Sequence, residues 1–281
     1  MQKLNIYQSL WGMELRSPNA PERSKEEAFA MIAQAGFDGA CMDPSLEEIP
    51  ECREYAHLFD EHKLGCMINA FPYSPDDMAP IIDFAVEMQA CMVNVISGIM
   101  PIKPEDAVDD VRRWIAEAAD REMPLLFETH RDGLLNDLYF TLQLMELVPE
   151  MRLCADLSHF VVDRELRNPI PDRDQAYISA VLKRSDCFQG RIANREQVQI
   201  QIDFPQHQEW VVIFKAWWKE GMRAWRKRNH ADATLVFLCE LGPPPYAITD
   251  RNQNELSDRW QESLKIRRWV QTIWSELEAE S

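Results

Sequence analysis

Short apolar segments alternate with longer amphipathic segments from one end of the chain to the other. The segment LNIYQSLWG (4–12) is typical of a strand, whereas PERSKEEAFAMIAQAG (21–36), with Pro21 near its start and Gly36 at its end, is typical of a helix. This pairing recurs to give eight strand–helix units. The other predicted strands are 37–43, 64–72, 91–98, 123–130, 151–160, 187–194 and 233–242. The other predicted helices are 45–63, 74–90, 103–122, 134–150, 175–185, 207–229 and most of 250–279.

Regular alternation of strands and helices predicts a parallel sheet with helices on its faces. Eight such units within 281 residues predict an α/β fold, a (β/α)8 TIM barrel that forms a single domain over residues 1–281. An open, doubly wound sheet is the alternative, but it usually has about five or six strands and often a glycine-rich first turn. The chain has nine glycines and no GxGxxG motif, which favours the barrel.

The charge balance restricts the class of partner. Asp and Glu number 47 against 30 Lys and Arg, for a net charge of −17 at pH 7. Such an acidic chain is a poor match for a phosphate backbone or an anionic membrane surface, so we expect no nucleic acid and no membrane as partner. A small anionic substrate held by a local arginine stays open, and so does assembly into a homo-oligomer.

The apolar segments and the cysteines indicate a compartment. No apolar segment reaches the roughly 18 residues of a membrane span, and the N-terminal MQKLNIYQSLWGM lacks the long apolar core of a secretory signal. The seven cysteines form no CxxC pair, and several lie in apolar segments, where a thiol packs as a small hydrophobic group. We therefore expect a soluble, cytoplasmic protein with reduced thiols.

Polar residues end most of the predicted strands, at the edge where a TIM barrel builds its active site. In chain order the strand-end residues are Trp11, Asp43, Asn69, Ser97, Glu128, Asp156 with His159, Gln189 with Arg191, and Glu240. Three of the last four strands thus end in a carboxylate. Converging carboxylates repel one another, and a divalent cation removes that repulsion. Oxygen ligands with one amide or imidazole favour Mg²⁺ or Mn²⁺ and leave Co²⁺ and Zn²⁺ open. The alternative is a shifted register in which one acid faces a helix.

Two histidines lie close to these acids. In DLSH, His159 follows Asp156 by three residues, and it is either a satisfied core residue or a hydrogen-bond partner for a substrate hydroxyl or carbonyl. In FETHR, His130 shares strand parity with Glu128, so both side chains can face the mouth of the barrel. The neighbouring Arg131 could pair with an acid or reach the substrate.

The segment AWWKEGMRAWRKR, within the predicted helix 207–229, mixes aromatic and basic residues as a nucleic-acid-binding surface would. Helical spacing instead places its large apolar residues along one broad face, which predicts core packing. These residues are Phe214, Trp217, Trp218, Met222 and Trp225. The basic residues then form a solvated face near the C-terminus of the helix, where cations are favoured.

These motifs resemble those of the sugar phosphate isomerase/epimerase family, the xylose isomerase-like TIM barrels. The resemblance covers nearly the whole chain in element order. That family has a metal-binding Glu at the end of strand five, and an Asp at the end of strand six with a substrate-contacting His three residues later. A second metal-binding Glu ends strand eight, often before Gly-Pro. In this chain FETHR supplies Glu128, ADLSH supplies Asp156 and His159, and CELGPPPY supplies Glu240.

Strand seven departs from the family pattern. The family usually carries a metal-binding His there, and FQGRIAN has Gln189 in that place. The resemblance thus implies a metal site made of Glu128, Asp156, Gln189 and Glu240. An amide oxygen is a poorer donor than imidazole to the softer ions. We therefore expect a preference for Mg²⁺ or Mn²⁺ over Zn²⁺, weak binding with partial occupancy, or a lost activity.

The resemblance also implies an activity. It is that of a metal-dependent isomerase or epimerase, which acts on a small carbohydrate (a sugar, sugar phosphate or keto-sugar) by proton transfer through an enediolate. Glu128 and Glu240 would be the catalytic residues, on opposite sides of the substrate, one removing a proton and the other returning it. The expected substrate contacts are His159, Arg191, Asn69, Trp11 and His130.

Three alternatives stay open at this point. A dehydratase or lyase of the same superfamily would remove a hydroxyl group β to the carbonyl. A non-catalytic or metal-depleted sugar-binding barrel would be consistent with Gln189. An apurinic endonuclease of the wider superfamily would need a His-rich cluster of three zinc ions and a DNA-binding surface, which six histidines and a charge of −17 disfavour.

Overall fold

The computed structural model describes residues 1–280, and its strands close into one barrel. Each strand is parallel to the next in the chain, and β8 pairs with β1 to close the ring. This arrangement confirms the predicted (β/α)8 TIM barrel. The strands are β1 (Lys3–Ser9), β2 (Gly39–Met42), β3 (Gly65–Ala70), β4 (Val93–Val95), β5 (Leu125–Glu128), β6 (Leu153–Ala155), β7 (Ser185–Gln189) and β8 (Thr234–Cys239).

Ten α-helices accompany these strands within residues 1–280. They are α1 (Lys25–Gln34), α2 (Ile49–Glu54), α3 (Ala56–His62), α4 (Met78–Glu87), α5 (Val108–Ala119), α6 (Leu138–Leu147), α7 (Leu157–Asp163), α8 (Asp172–Arg184), α9 (Gln208–Arg228) and α10 (Arg259–Ala279). The predicted helix 45–63 is two helices, α2 and α3, interrupted at Tyr55. There the Tyr55 N–H donates to the Cys52 carbonyl oxygen at 3.2 Å, in a turn tighter than that of an α-helix. Within residues 1–280, no helix is both long enough and apolar enough to cross a membrane.

The predicted strand 151–160 is too long. β6 ends at Ala155, and Asp156 caps α7 by accepting a hydrogen bond from the Ser158 N–H at 3.0 Å. A side-chain oxygen that accepts from the second helical residue is a standard way to start a helix. His159 therefore lies in the first turn of a helix beyond β6, and not on the strand itself.

The predicted strand 4–12 is also too long. β1 ends at Ser9, whose hydroxyl oxygen accepts a hydrogen bond from the Gly12 N–H at 3.2 Å. Trp11 begins a short 3₁₀ turn, Trp11–Met13. The tryptophan thus lies in the turn above β1, where a loop residue can reach over the mouth of the barrel.

The main core lies between the outer face of the barrel and the surrounding helices. The broad apolar face predicted for the helix over 207–229 faces this core, because all five of its members are at most 3% exposed. They are Phe214, Trp217, Trp218, Met222 and Trp225. Core packing, rather than nucleic-acid binding, therefore accounts for this aromatic segment.

Inside the barrel, an apolar layer rich in sulfur lies beneath the mouth. Its members include Cys41, Met67, Met92, Leu126, Cys154, Cys187 and Leu238. Each precedes by two residues a polar residue at or near a strand end. Because side chains alternate along a strand, those polar residues form the next inward-facing layer. All seven cysteines are free thiols.

Candidate active site

The polar layer at the mouth contains three carboxylates that meet at one place. Glu128 is the last residue of β5, while Asp156 and Glu240 directly follow β6 and β8. One oxygen of each lies within 4.8 Å of the others, and all three residues are buried. The strands are far apart in sequence, and barrel closure is what brings their ends together. The structure thus places the acids that end strands five, six and eight in one buried cluster.

Arg191, two residues beyond β7, lies among these acids. Its Nη1 is 3.3 Å from Asp156 Oδ2, and its Nη2 is 3.2 Å from Glu240 Oε2. The guanidinium also donates to the Glu240 carbonyl oxygen through Nε (3.0 Å), and Nη1 lies 3.2 Å from His159 Nε2. Arg191 is 2% exposed, so its charge is held inside the site by two carboxylates.

Burial and mutual repulsion perturb the acids. Burial raises the pKa of Glu128 well above its usual range, and the charges of Glu240 and Asp156 raise it further. Burial raises the pKa of Glu240 to about 8, although Arg191 pulls it down. The pKa of Asp156 is raised by burial against the opposing effect of Arg191. One guanidinium therefore does not compensate three buried carboxylates, and the cluster favours further positive charge.

Amide side chains link the acids around half of the barrel. Asn69 donates to Asp43 Oδ1 at 2.5 Å and to Glu240 Oε1 at 3.3 Å. Asn94 donates to Asn69 Oδ1 at 2.9 Å and to Glu128 Oε2 at 2.5 Å. Asp43 is the first acid in this series of hydrogen bonds. Burial raises its pKa to about 6, against the lowering effect of the hydrogen bond from Asn69. Asn69 is thus a partner of two acids, in addition to its predicted role as a substrate contact.

Gln189 lies at the end of β7, beside the acids. Its Nε2 donates to Glu128 Oε2 at 2.6 Å, and its Oε1 is buried without a hydrogen-bond partner. The amide thus turns its donor toward a carboxylate and keeps its oxygen free. That oxygen is the atom through which Gln189 could bind a cation.

Two histidines and a tyrosine lie together beside the acids. The rings of His130 and His159 have centroids 4.0 Å apart, and the Tyr246 hydroxyl lies 3.5 Å from His130 Nε2. Burial lowers the pKa of His130 to about 4 and that of His159 well below its usual range, with nearby Arg191 adding to both shifts. Both imidazoles are therefore neutral at physiological pH.

Aromatic rings flank Arg191 on the solvent side. Trp11 and Tyr246 meet edge to face with centroids 5.1 Å apart, and the guanidinium carbon lies 5.7 Å and 4.8 Å from their respective ring centres. A cavity of about 290 Å³ opens between them and the acids. Its lining includes Trp11, His130, Arg191 and both glutamates, whereas Asn69 and His159 do not line it. Two of the five predicted substrate contacts are thus fully buried and do not line the cavity.

The sequence analysis missed two polar residues of this site. Asn94 is a polar residue at the centre of the apolar strand β4, and its inward parity was a usable signal. Tyr246 lies in the loop after β8, where neither parity nor periodicity indicates a direction. Its position over Arg191 becomes visible only in three dimensions.

The donor set fits a hard divalent cation. Gln189 Oε1 is a buried acceptor without a hydrogen-bond partner, and Asp156 Oδ2 is a buried acceptor whose neighbour is the Arg191 guanidinium at 3.3 Å, in an ion pair without a hydrogen bond. Each belongs to a residue predicted as a ligand. Glu128 and Glu240 supply further carboxylate oxygens beside them. Oxygen-only sets suit Mg²⁺ and Mn²⁺ better than the softer metals. A second group, of Glu128, His130 and His159, also lies within 4.8 Å. There, however, His130 Nδ1 already accepts from the Asp132 N–H at 3.1 Å.

Solved structures with the same fold were found, whereas no protein-family model and no curated protein sequence matches the chain. A xylose isomerase-like TIM barrel protein from Mycobacterium smegmatis, in complex with magnesium, matches with a TM-score of 0.61 and 16% identity over 97% of each chain. D-allulose 3-epimerase from Methylomonas sp., in complex with D-allulose, has a TM-score of 0.63 and 12% identity over 97% of this chain and 98% of its own. An L-ribulose 3-epimerase has a TM-score of 0.59 and 14% identity over 99% and 98%.

These likenesses define a fold. The chain has the architecture of the xylose isomerase-like TIM barrels, as the sequence resemblance implied. At 10–16% identity, shared architecture does not carry activity or substrate from one protein to another.

Proposed function

We propose that the chain is a divalent-metal-dependent isomerase or epimerase that moves a proton next to the carbonyl of a small carbohydrate. The observation that carries the proposal is the convergence of Glu128, Asp156 and Glu240, buried at the mouth of the barrel with oxygens within 4.8 Å of one another. Similar folds are found in D-allulose 3-epimerase and L-ribulose 3-epimerase, which supports a carbohydrate as the substrate class.

The cation would be held by Glu128, Asp156, Gln189 and Glu240, with Mg²⁺ or Mn²⁺ as the preferred ion. When bound, it would supply the positive charge that keeps these carboxylates ionised and stabilises negative charge on the substrate oxygens. Glu128 and Glu240 come from non-adjacent strands, β5 and β8, and both line the cavity. We assign the removal of the proton to one of them and its return to the other.

The surrounding side chains would orient the substrate. Arg191 donates from one side of the cavity, and Trp11 and Tyr246 offer flat apolar surfaces on which the C–H face of a sugar ring can pack. The neutral His130 adds a hydrogen-bonding group between Tyr246 and the acids. A cavity of about 290 Å³ suits a small sugar.

Proton transfer next to a carbonyl has a direct signature in D₂O. Purified protein with added Mn²⁺ should be incubated with ketoses, inososes and 3-keto sugars, while NMR follows exchange of the C–H beside each carbonyl. We expect exchange on a true substrate that requires Mn²⁺ and disappears with EDTA. The same experiment reports products, because an epimer or isomer and a dehydrated product give different spectra. Loss of water would assign a dehydratase instead.

A metal-depleted sugar-binding barrel is the second candidate, and Arg191 is the observation that favours it. Its guanidinium already neutralises part of the charge on Asp156 and Glu240 without a cation. A sugar that raises the melting temperature of the protein without any C–H exchange, with or without Mn²⁺, would support this candidate and overturn the enzyme.

A further inference from the structure

A single oxygen of Glu128 receives two amide donors. Asn94 Nδ2 lies 2.5 Å from Glu128 Oε2, and Gln189 Nε2 lies 2.6 Å from the same oxygen. Within residues 1–280, no hydrogen bond to Glu128 Oε1 accompanies them. We propose that Asn94 is a positioning residue of this site, which with Gln189 holds Glu128 by one oxygen so that the other faces the cation and the substrate. This role rests on the proposed function.

The direction of the Asn94 amide follows from its neighbours. Its Nδ2 also donates to Asn69 Oδ1 at 2.9 Å, and Asn69 in turn donates to Asp43 and Glu240. Reversing the Asn94 amide would place its oxygen against a carboxylate and a carbonyl oxygen, which are both acceptors. The carboxylates therefore set the orientation of both amides, and the arrangement presents N–H groups to each acid.

Rigidity is what makes Asn94 suitable for this task. It lies in the middle of β4 and is fully buried, so its backbone and rotamer are fixed by the barrel. A neutral amide also holds Glu128 without adding positive charge. A lysine in its place would add a positive charge that competes with the cation. Asn94 Oδ1 is buried without a partner, so the amide is oriented for donation at the expense of its own acceptor.

Partners that orient a metal ligand typically change metal affinity about 10- to 100-fold when removed. The test uses Mn²⁺ as the probe, with titration calorimetry on metal-free protein. We expect Asn94→Leu, which keeps the branched shape of the side chain and removes the donors, to weaken Mn²⁺ binding by about tenfold or more. The Mn²⁺ EPR spectrum at saturation should broaden, because a freed carboxylate changes the symmetry of the ligands. The smaller Asn94→Ala should behave alike, which covers the case in which leucine prevents folding.

Thr141→Val is the matched control. Thr141 is fully buried in α6 and donates to the Asp137 carbonyl oxygen at 2.8 Å, outside the site. The variant loses one buried hydrogen bond, as a purely structural change would, and should keep the Mn²⁺ affinity of the wild type. Comparable melting temperatures for the Thr141 and Asn94 variants would show that stability does not explain the difference.

A double-mutant cycle separates the outcomes. If Asn94 acts through Glu128, then Asn94→Leu should have no further effect on Mn²⁺ affinity in a Glu128→Gln background. Additive losses, or wild-type affinity in both Asn94 variants, would overturn the positioning role and leave the metal site in place. Failure of the wild type to bind Mn²⁺ at all would overturn the proposed function and this role with it.

Discussion

Arg191 competes with a cation for the same oxygens. Its guanidinium nitrogens lie 3.3 Å from Asp156 Oδ2 and 3.2 Å from Glu240 Oε2, and both acids are proposed ligands. Any ion bound there has to share these oxygens with a buried positive charge. We therefore predict that Arg191→Gln, which keeps polarity and removes the charge, binds Mn²⁺ more tightly than the wild type.

The expected magnitude follows from these contacts. A single positive charge and a divalent cation about 4 Å apart repel each other by about 8 kcal/mol at an effective dielectric constant of about 20. Because Arg191 is 2% exposed, solvent screens its charge little. Removing this repulsion favours Mn²⁺ binding, but most of the gain in binding free energy is offset. Without Arg191 the acids bind protons more strongly, and these protons must leave when the ion enters. We expect a net gain of about 10- to 100-fold in affinity, or about 1.4 to 2.8 kcal/mol.

Titration calorimetry with MnCl₂ at pH 8, on protein stripped of metal, measures this directly. Arg191→Lys is the matched control, because it removes the planar guanidinium and retains the positive charge. Its affinity should stay close to that of the wild type. Equal or weaker Mn²⁺ binding by Arg191→Gln than by Arg191→Lys would refute the reasoning, because it would show that charge competition does not limit the site.

Three further predictions concern other residues. Gln189→His should give a net gain in Mn²⁺ or Co²⁺ affinity of about tenfold, or about 1.4 kcal/mol, because the imidazole ligand outweighs the lost hydrogen bond to Glu128, and an affinity no higher than that of the wild type by calorimetry would contradict the prediction. Glu128→Gln and Glu240→Gln should each abolish proton exchange on the true substrate while some metal binding remains, and near-normal exchange in either variant would exclude that residue as the base. Glu262 is buried in α10, where burial raises its pKa to about 7 against a hydrogen bond from the Ile202 N–H. Its folded pKa lies above the unfolded value, so the contribution of Glu262 to stability is fully present below about pH 4.5 and is lost as the pH rises through 7. Glu262→Gln should therefore be more stable than the wild type at pH 8 by about 1–3 kcal/mol and gain nothing at pH 4.5. Denaturant unfolding at both pH values measures this, and a gain of equal size at both would contradict it.

The sequence by itself determined the barrel and the acids at its mouth. Alternation along a strand and the 3.6-residue period of a helix are local properties, so eight strand–helix pairs could be recognised without knowing any contact. Parallel strands place all their C-terminal ends at one edge, which is why Glu128, Asp156 and Glu240 could be predicted as one cluster. The element ends were less accurate, because side-chain caps such as that of Asp156 stop a strand where apolar character continues.

Only the tertiary structure decided which side chains of the site are hydrogen-bonded to one another. Asn94 and Glu128 are 34 residues apart, Gln189 and Glu128 are 61 apart, and Asn69 and Glu240 are 171 apart. Such hydrogen bonds depend on barrel closure and on the choice of rotamers, which no local pattern encodes. The same holds for Arg191, whose sequence position predicted a substrate contact. Its placement between two carboxylates follows from the packing of β7 against β8 and from burial, which makes an unpaired charge costly and a shared one stable.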